Sequence, residues 1–245
     1  MTAVNGPAIE VKGLTKSFGN KPALDGIDLS IEPGKTLAVF GPNGAGKTTL
    51  LKILASIMKP STGEVFINGL NLKDNAELIR SQIGIVSHQV FLYSNLTAHE
   101  NLLFYSRMYD VANHKQRIHQ VVSMLGMQSR LYDRISTLSR GMQQRFSIAR
   151  CLLHKPSIIL LDEPETGLDQ QAISMLWEAL KEAGHEKRTI VFTSHSLERG
   201  LNTCDYLIIL DKGKIGHQQP SSDLALAGLK EVYRDCTGVG GENAK

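Results

Sequence analysis

The sequence predicts an α/β fold built around a mixed, largely parallel sheet, and three stretches carry this prediction. An apolar run at residues 36–40 leads into a glycine-rich loop and then into a segment with helical apolar spacing. Further apolar runs lie at 158–161 and 189–193, and both are followed by polar residues. Short runs of this kind are typical of strands buried on both faces, as the strands of a parallel sheet are. With 245 residues, of which 42% are hydrophobic, the chain is long enough for one large domain with a substantial core.

Composition and charge argue against several classes of function. The net charge of +3 is too small to indicate a nucleic-acid-binding protein. The three cysteines, Cys151, Cys204 and Cys236, have neither the spacing of a disulfide framework nor that of metal ligands, which favours a reducing cytoplasm. The N-terminus lacks the basic start and apolar core of a signal peptide, and no apolar stretch approaches the roughly 20 residues of a membrane span. We therefore expect any role at a membrane to come through a partner.

The glycine-rich loop is the strongest motif in the chain. It matches the pattern G-x-x-x-x-G-K-[ST], and it lies between a predicted strand and a predicted helix, as this pattern requires. Its glycines let successive backbone N–H groups point inward at phosphates, and the helix that begins near Lys47 directs its positive end to the same place. We expect Lys47 to contact the β- and γ-phosphates of a nucleoside triphosphate and the Thr48 hydroxyl to bind Mg²⁺. The predicted binding residues of the loop are Gly41, Pro42, Asn43, Gly44, Ala45, Gly46, Lys47, Thr48 and Thr49.

Two carboxylates follow the apolar run at 158–161, at the end where ligands of open α/β sheets bind. A buried strand should not end in paired charges unless a cation lies nearby. Successive side chains on a strand point in opposite directions, so we expect Asp162 and Glu163 to have different roles. Asp162 is the candidate Mg²⁺ ligand, and Glu163 is the candidate base that polarises a water towards the γ-phosphate.

Three further residues are weak candidates when each is taken alone. Gln89 follows a predicted strand and can contact Mg²⁺ or the attacking water, although a glutamine at a strand end commonly faces solvent. His195 follows another predicted strand at the same sheet edge as Glu163, and it can hydrogen-bond the γ-phosphate or simply be solvated. Phe18 opens a turn-rich stretch, 18–24, and it can stack on adenine or be an ordinary core aromatic.

Between residues 90 and 150 glycine and proline become scarce, and the sequence predicts an inserted helical segment. Thr97 and Glu100 form a capping box that opens one of its helices. Near its end, Ser139 is a good N-cap for a last helix, and Gly141 allows another group to approach the backbone closely. A helix N-terminus with these two residues is a candidate second anion site, and a plain capped helix is the alternative.

Taken in order, these motifs resemble those of the ATP-binding subunit of ABC transporters, over essentially residues 8–220. The matching positions are Gly41–Thr49 (Walker A), Gln89 (Q-loop), Leu138–Met142 (signature), Ile158–Glu163 (Walker B), Gly167–Asp169 (D-loop) and His195 (switch histidine). In addition, Phe18 stands where the family has its adenine-stacking aromatic. Six motifs in this order and spacing are far more specific than any one of them. Because of the resemblance, we favour the functional interpretation over the structural alternative for Phe18, Gln89, Ser139 and His195.

The fold that the resemblance implies is a P-loop NTPase core with a mixed or parallel sheet, an N-terminal antiparallel β-subdomain and an inserted α-helical subdomain. All of 1–245 would form one ABC ATPase domain. Its parts would be a RecA-like and β core (8–89 and 151–220), a helical signature subdomain (90–150) and a flexible tail (237–245).

The resemblance also implies cofactors, partners and a location. The cofactors would be ATP and Mg²⁺. The metal ligands would be Thr48, Gln89 and Asp162, and the catalytic residues would be Lys47, Gln89, Glu163 and His195. The phosphate loop of one subunit and Ser139–Gly141 of a second, in a homodimer or a heterodimer, would sandwich each ATP. A transmembrane permease subunit would be the other partner, no nucleic acid is implied, and the protein would be cytoplasmic and peripheral on the inner face of the cell membrane.

The chain departs from the family's usual signature, Leu-Ser-Gly-Gly-Gln, at two positions. Arg140 replaces the first of the two glycines and Met142 replaces the glutamine, whereas Ser139 and Gly141 remain, so we expect activity. The form of the signature favours an exporter, of the multidrug type or of the haem-exporter type of cytochrome c maturation, and an importer is an alternative. A soluble ABC ATPase, such as an iron–sulfur cluster assembly factor, is the second hypothesis. A GTPase is disfavoured because the guanine motif Asn-Lys-x-Asp is absent from the sequence.

Overall fold

The computed structural model describes residues 6–87, 90–182 and 188–238 and contains two sheets flanked by helices. The strands are β1 (Ile9–Phe18), β2 (Lys21–Ile31), β3 (Thr36–Phe40), β4 (Thr62–Ile67), β5 (Leu70–Asn71), β6 (Ile83–Val86), β7 (Ile158–Asp162), β8 (Thr189–Thr193), β9 (Tyr206–Asp211) and β10 (Lys214–Pro220). The helices are α1 (Lys47–Leu54), α2 (Ala76–Gln82), α3 (Ala98–Met108), α4 (His114–Met124), α5 (Arg140–Leu152), α6 (Gln170–Glu182), α7 (Leu197–Thr203) and α8 (Leu226–Thr237). No helix among the described residues is long and apolar enough to cross a membrane.

The smaller sheet is antiparallel and has the order β2-β1-β4-β5, which confirms the expected N-terminal β-subdomain. Strands β1 and β2 are longer than the alternation of apolar and polar residues in the sequence predicted. The stretch 18–24 was predicted to be rich in turns, but only Gly19 and Asn20 form the turn between β1 and β2. The prediction was wrong because the register of β1 against β2 shifts at several points, so the strand continues where the apolar alternation breaks.

The larger sheet has the order β10-β9-β3-β8-β7-β6, and all its neighbouring strands are parallel except the edge pair β9 and β10. Every residue of β7 and β8 is buried, as their continuous apolar runs predicted. Because β3, β8 and β7 are adjacent and parallel, their carboxyl ends meet at one edge of the sheet. The phosphate loop, the acidic pair and His195 follow these three strands and therefore lie at that edge.

The inserted segment is helical, as the sequence predicted. Thr97 accepts a hydrogen bond from the backbone of Glu100 and the Glu100 side chain bonds back to the N-cap, which confirms the capping box at the start of α3. Helices α3, α4 and α5 pack against one another, and α5 also packs against β6. Because α5 runs on to Leu152, one helix crosses the subdomain boundary expected at residue 150.

The C-terminal helix α8 was not predicted from the sequence. It packs on α7, β9 and β10, and it buries Leu229 and Tyr233. The predicted flexible tail was wrong at Thr237, because this residue ends α8 and its hydroxyl donates to the Tyr233 carbonyl (2.7 Å). Residues 239–245 of the predicted tail lie outside the described residues.

Candidate nucleotide-binding site

The phosphate loop connects β3 to α1, and its backbone conformation depends on glycine. Gly41 has φ 144° and Gly46 has φ 108°, values that residues with side chains rarely adopt. Neighbouring backbone atoms also leave no room for a side chain at either position. A β-carbon at Gly41 would collide with the carbonyl of Leu210, and one at Gly46 would lie 2.5 Å from the carbonyl of Ala23. The loop therefore keeps its shape only with glycine at both positions.

Lys47 is buried at the start of α1, and its ammonium group is held by the loop. Its Nζ donates to the carbonyls of Gly41 (2.6 Å) and Pro42 (3.0 Å). Burial lowers the pKa of Lys47, and the nearby charges of Glu163 and Asp162 oppose that shift. The lysine thus supplies a partly desolvated donor group at the position where the helix also directs its positive end.

Thr48 and Asp162 meet at the end of β7. The Thr48 hydroxyl donates to Oδ2 of Asp162 (2.8 Å), and the Thr193 hydroxyl donates to Oδ1 (2.9 Å). Asp162 is only 8% exposed, so its charge is shielded from solvent and held in place through both oxygens. Hydroxyl and carboxylate oxygens are the ligands that Mg²⁺ prefers, so the two residues fit the predicted metal site.

The set of protein donors near Asp162 is small. Within residues 6–87, 90–182 and 188–238 no group of three or more His, Cys, Asp or Glu residues could hold a metal ion. Mg²⁺ commonly uses one or two protein carboxylates and takes its other ligands from water and phosphates. The third predicted ligand, Gln89, lies outside the described residues.

Glu163 and His195 lie in contact at the carboxyl edge of the large sheet. His195 Nε2 lies 2.6 Å from Oε1 of Glu163, so the two predicted catalytic residues are hydrogen-bonded. The reason for the separation of Asp162 and Glu163 differs from the one predicted. Strand β7 ends at Asp162, and Glu163 has a left-handed backbone (φ 52°) with its N–H donating to the Thr193 hydroxyl (2.9 Å). A turn of the backbone, rather than strand alternation, directs the two carboxylates to different partners.

A cleft of about 330 Å³ joins most of the predicted nucleotide-binding residues. Its lining residues are Phe18, Lys21, Pro22, Ala23, Asn43, Gly44, Ala45, Gly46, Lys47, Thr48, Thr49 and Glu163. Phe18 is 52% exposed at one side of the cleft, so it is not the core aromatic that was the alternative. An exposed ring beside a phosphate-binding loop has the position needed to stack on a base.

Ser139 and Gly141 lie at the start of α5. The Ser139 hydroxyl caps the helix by accepting from the N–H of Met142 (3.3 Å), which confirms the predicted cap. A β-carbon at Gly141 would lie 2.9 Å from the Gly167 carbonyl, so the helix start packs closely on the loop after β7. Among the residues that the structure describes, those lining the cleft do not include Ser139 or Gly141.

Sequence reasoning missed three polar residues at this edge. Thr193 bonds both Asp162 and the backbone of Glu163, and it could have been found as the one polar residue at the end of a buried apolar strand. Glu165, on the loop that carries Glu163, forms an ion pair with Arg199 of α7, the helix that follows His195. No sequence signal marks that pair, because its members lie more than 30 residues apart.

A family model described as "ABC transporter" matches residues 24–166, more than half of the chain. The chain belongs to this family. The match includes the phosphate loop, the helical segment and the acidic pair, and within the family the chain corresponds to the ATP-binding domain.

Relatives and a solved structure agree with this assignment. The chain is 32% identical over 209 residues to the linearmycin resistance ATP-binding protein LnrL of Bacillus subtilis (strain 168), covering 84% of this chain and 67% of that protein. It is 34% identical over 221 residues to the Nod factor export ATP-binding protein I of Rhizobium meliloti, covering 89% and 66%. The chain thus spans about two thirds of the length of these relatives. An ATP-binding cassette solved as a dimer in a post-hydrolysis state, bound to ADP and Pi, superimposes with a TM-score of 0.80 at 29% identity, covering 87% of this chain and 98% of that one.

Proposed function

We propose that this chain binds and hydrolyses MgATP and that the hydrolysis powers transport of a substrate across a membrane. The observation that carries the proposal is the hydrogen bond from Thr48, which lines the cleft with Lys47 and Glu163, to Asp162. It joins the phosphate-binding loop to the acidic end of a buried strand, and phosphoryl transfer needs both groups together.

The predicted site residues have distinct roles in this proposal. Lys47 and the loop N–H groups bind the phosphates, and Phe18 stacks on the adenine. Thr48 and Asp162, with Gln89, would hold Mg²⁺, whose charge would offset that of the β- and γ-phosphates. Glu163 accepts a proton from the attacking water, and His195 fixes the orientation of the Glu163 carboxylate and bonds the γ-phosphate.

A second copy of the ATP-binding subunit completes the site. Ser139 and Gly141 offer a hydroxyl and a helix N-terminus to an anion, but they lie apart from the cleft of their own chain. A two-fold symmetric pair would bring the cleft of each chain to the α5 start of the other. Two ATP molecules would then hold the pair together until hydrolysis reopens it. The dimeric cassette to which this chain is similar supports this arrangement.

The membrane role rests on the relatives. One is named for Nod factor export and another for linearmycin resistance, which supports an exporter over a soluble iron–sulfur assembly ATPase. A transmembrane permease is then the partner, and the chain is peripheral on the cytoplasmic face of the membrane. Residues 90–150 act as the helical subdomain on a core formed by 8–89 and 151–220.

Two experiments test the two halves of the proposal. For hydrolysis, the purified chain should release phosphate from ATP only when Mg²⁺ is present, and a chelator should remove the activity. Equal rates with and without Mg²⁺ would contradict the assignment of Thr48 and Asp162. For transport, the tagged chain should co-purify from gently solubilised host membranes with a polytopic membrane protein in near-equal amount. Recovery with soluble assembly factors instead would favour the alternative.

A further inference from the structure

A second glutamate, Glu165, lies two residues after Glu163, and both of its carboxylate oxygens accept hydrogen bonds. The indole N–H of Trp177 in α6 donates to Oε1 of Glu165 (3.0 Å), and Nη1 of Arg199 in α7 donates to Oε2 (3.1 Å). The Glu165 side chain is 14% exposed, so the carboxylate itself is mostly shielded from water, whereas its partner Arg199 is open to solvent. With one bond to each oxygen, the carboxylate is held between the two helices.

This second pair runs beside the pair of Glu163 and His195. Both pairs connect the loop after β7 to the segment after β8, and all four side chains line one cavity of about 170 Å³. The loop after β7 is thereby attached to the segment after β8 at two points. These points are two residues apart in the loop after β7 and four residues apart in the segment after β8.

The backbone of Glu163 requires such support. Its left-handed conformation is outside the strand ladder, and backbone of this kind persists only where its surroundings hold it. Local bonds turn the loop back on itself, since the N–H of Thr166 donates to the Glu163 carbonyl (3.2 Å) and that of Leu168 to the Glu165 carbonyl (3.1 Å). The Glu165 side chain then joins this turn to α6, where Trp177 packs edge-on against Phe192 of β8 (5.0 Å between ring centroids).

We propose that the ion pair of Glu165 and Arg199, anchored by Trp177, positions the pair of Glu163 and His195 to activate the water that attacks the γ-phosphate. This inference rests on the proposed ATP hydrolysis. Glu165 and Arg199 are positioning residues in it, because they act on the reacting groups through the loop after β7 and the segment after β8. Arg199 is 46% exposed, and exposed ion pairs contribute little to overall stability. The effect of breaking the pair should therefore appear in the turnover rate.

The kinetic test is a double-mutant cycle. Arg199→Ala and Glu165→Gln should each lower kcat for ATP about tenfold and leave KM unchanged, because the phosphate loop is untouched. The double variant should lose no more than either single variant, and Arg199→Lys should restore part of the rate. The matched control is Arg130→Ala, which removes a surface pair with Asp133 (3.2 Å) in the segment between α4 and α5 and should leave kcat unchanged.

A spectroscopic test reads the contact itself without any hydrolysis. Trp177 is the only tryptophan of the sequence, so the intrinsic emission reports directly on the indole that bonds Glu165. Arg199→Ala should move the emission to longer wavelength, because the carboxylate loosens and water enters, whereas Arg130→Ala should not.

The two readouts separate the possible failures. Unchanged emission or unchanged kcat in Arg199→Ala would overturn the positioning role. A fall in kcat accompanied by a matching rise in KM and a lower melting temperature would show a structural role and would overturn it too. Absence of hydrolysis in the unsubstituted protein would instead overturn the proposed function, and the positioning role with it, before any variant is measured.

Discussion

Two helices of this chain begin with groups that suit an anion, and their surroundings differ. Helix α1 begins at Lys47, beside Asp162 and Glu163, in a cleft of about 330 Å³. Helix α5 follows Ser139, which is exposed and caps the helix through the Met142 N–H. The start of α1 thus has the charges that phosphate, metal and water require. The start of α5 has donor groups but no acidic residue in its first turn.

The capping of the two helices shows the same difference. Gly46 precedes α1 and provides no side-chain cap, so the first N–H groups of the helix are left for a ligand. In α5 the Ser139 side chain already accepts from one of them. This difference supports the proposal that α1 forms the reactive half of an ATP site and that α5 contributes to the site of a second chain.

The largest expected effect concerns the reactive half. Glu163→Gln should lower the rate of ATP hydrolysis about 10³-fold, because it removes the base while keeping the size and the hydrogen-bonding capacity of the side chain. ATP binding should persist, and the variant should elute as a dimer with ATP in size-exclusion chromatography. Glu198→Gln, an exposed acid in the first turn of α7, is the control that should remain active. Full activity of the Glu163→Gln variant would contradict the assignment of Glu163 as the base.

An intermediate effect is expected at the start of α5. Gly141→Ala introduces a β-carbon 2.9 Å from the Gly167 carbonyl, so helix and loop must separate. We expect about a tenfold loss of hydrolysis with unchanged affinity of the isolated chain for ATP. The donor groups at the start of α5 are displaced and not removed, and complete loss of one oriented donor commonly costs more than this. The matched control is Gly6→Ala, where no atom lies within 4 Å of the added carbon. An unchanged rate in Gly141→Ala would argue against any part for α5 in hydrolysis.

The smallest effect concerns the base of the nucleotide. Phe18→Ala should raise KM for ATP about fivefold and leave kcat nearly unchanged, because stacking adds binding energy without touching the phosphates. Phe18→Tyr, which keeps the ring, should behave like the unsubstituted protein. Steady-state kinetics at saturating Mg²⁺ measure both, and an equal KM in the alanine variant would show that the ring does not contact the nucleotide.

The phosphate loop and the buried strands could be predicted because their causes are local. The loop needs glycine where the backbone turns and lysine where the helix starts, and these requirements fix the residue types at fixed spacing. The strands β7 and β8 are buried on both faces, so their apolar runs are continuous. The meeting of Asp162 with Thr48 followed from the rule that parallel strands end at one edge.

What could not be predicted depends on contacts between distant parts of the chain. The full length of β1 and β2 depends on register shifts that break the alternation. The left-handed backbone of Glu163 depends on Thr193, and the pair of Glu165 and Arg199 depends on how α6 and α7 pack. Helix α8 is different, because Leu226, Leu229 and Tyr233 have helical spacing and the pattern was present to be found.

The most direct measurement mixes two inactive proteins, Ser139→Arg and Lys47→Ala. Each homodimer lacks an intact site, but a mixed dimer joins the unaltered loop of the first protein to the unaltered α5 start of the second. At equal mixing we predict about a quarter of the original ATP hydrolysis, since about half of the dimers are mixed and each has one intact site of two. Mixing Ser139→Arg protein with protein that carries both substitutions creates no intact site and should stay inactive. A mixture no more active than either parent would contradict the sharing of sites between chains.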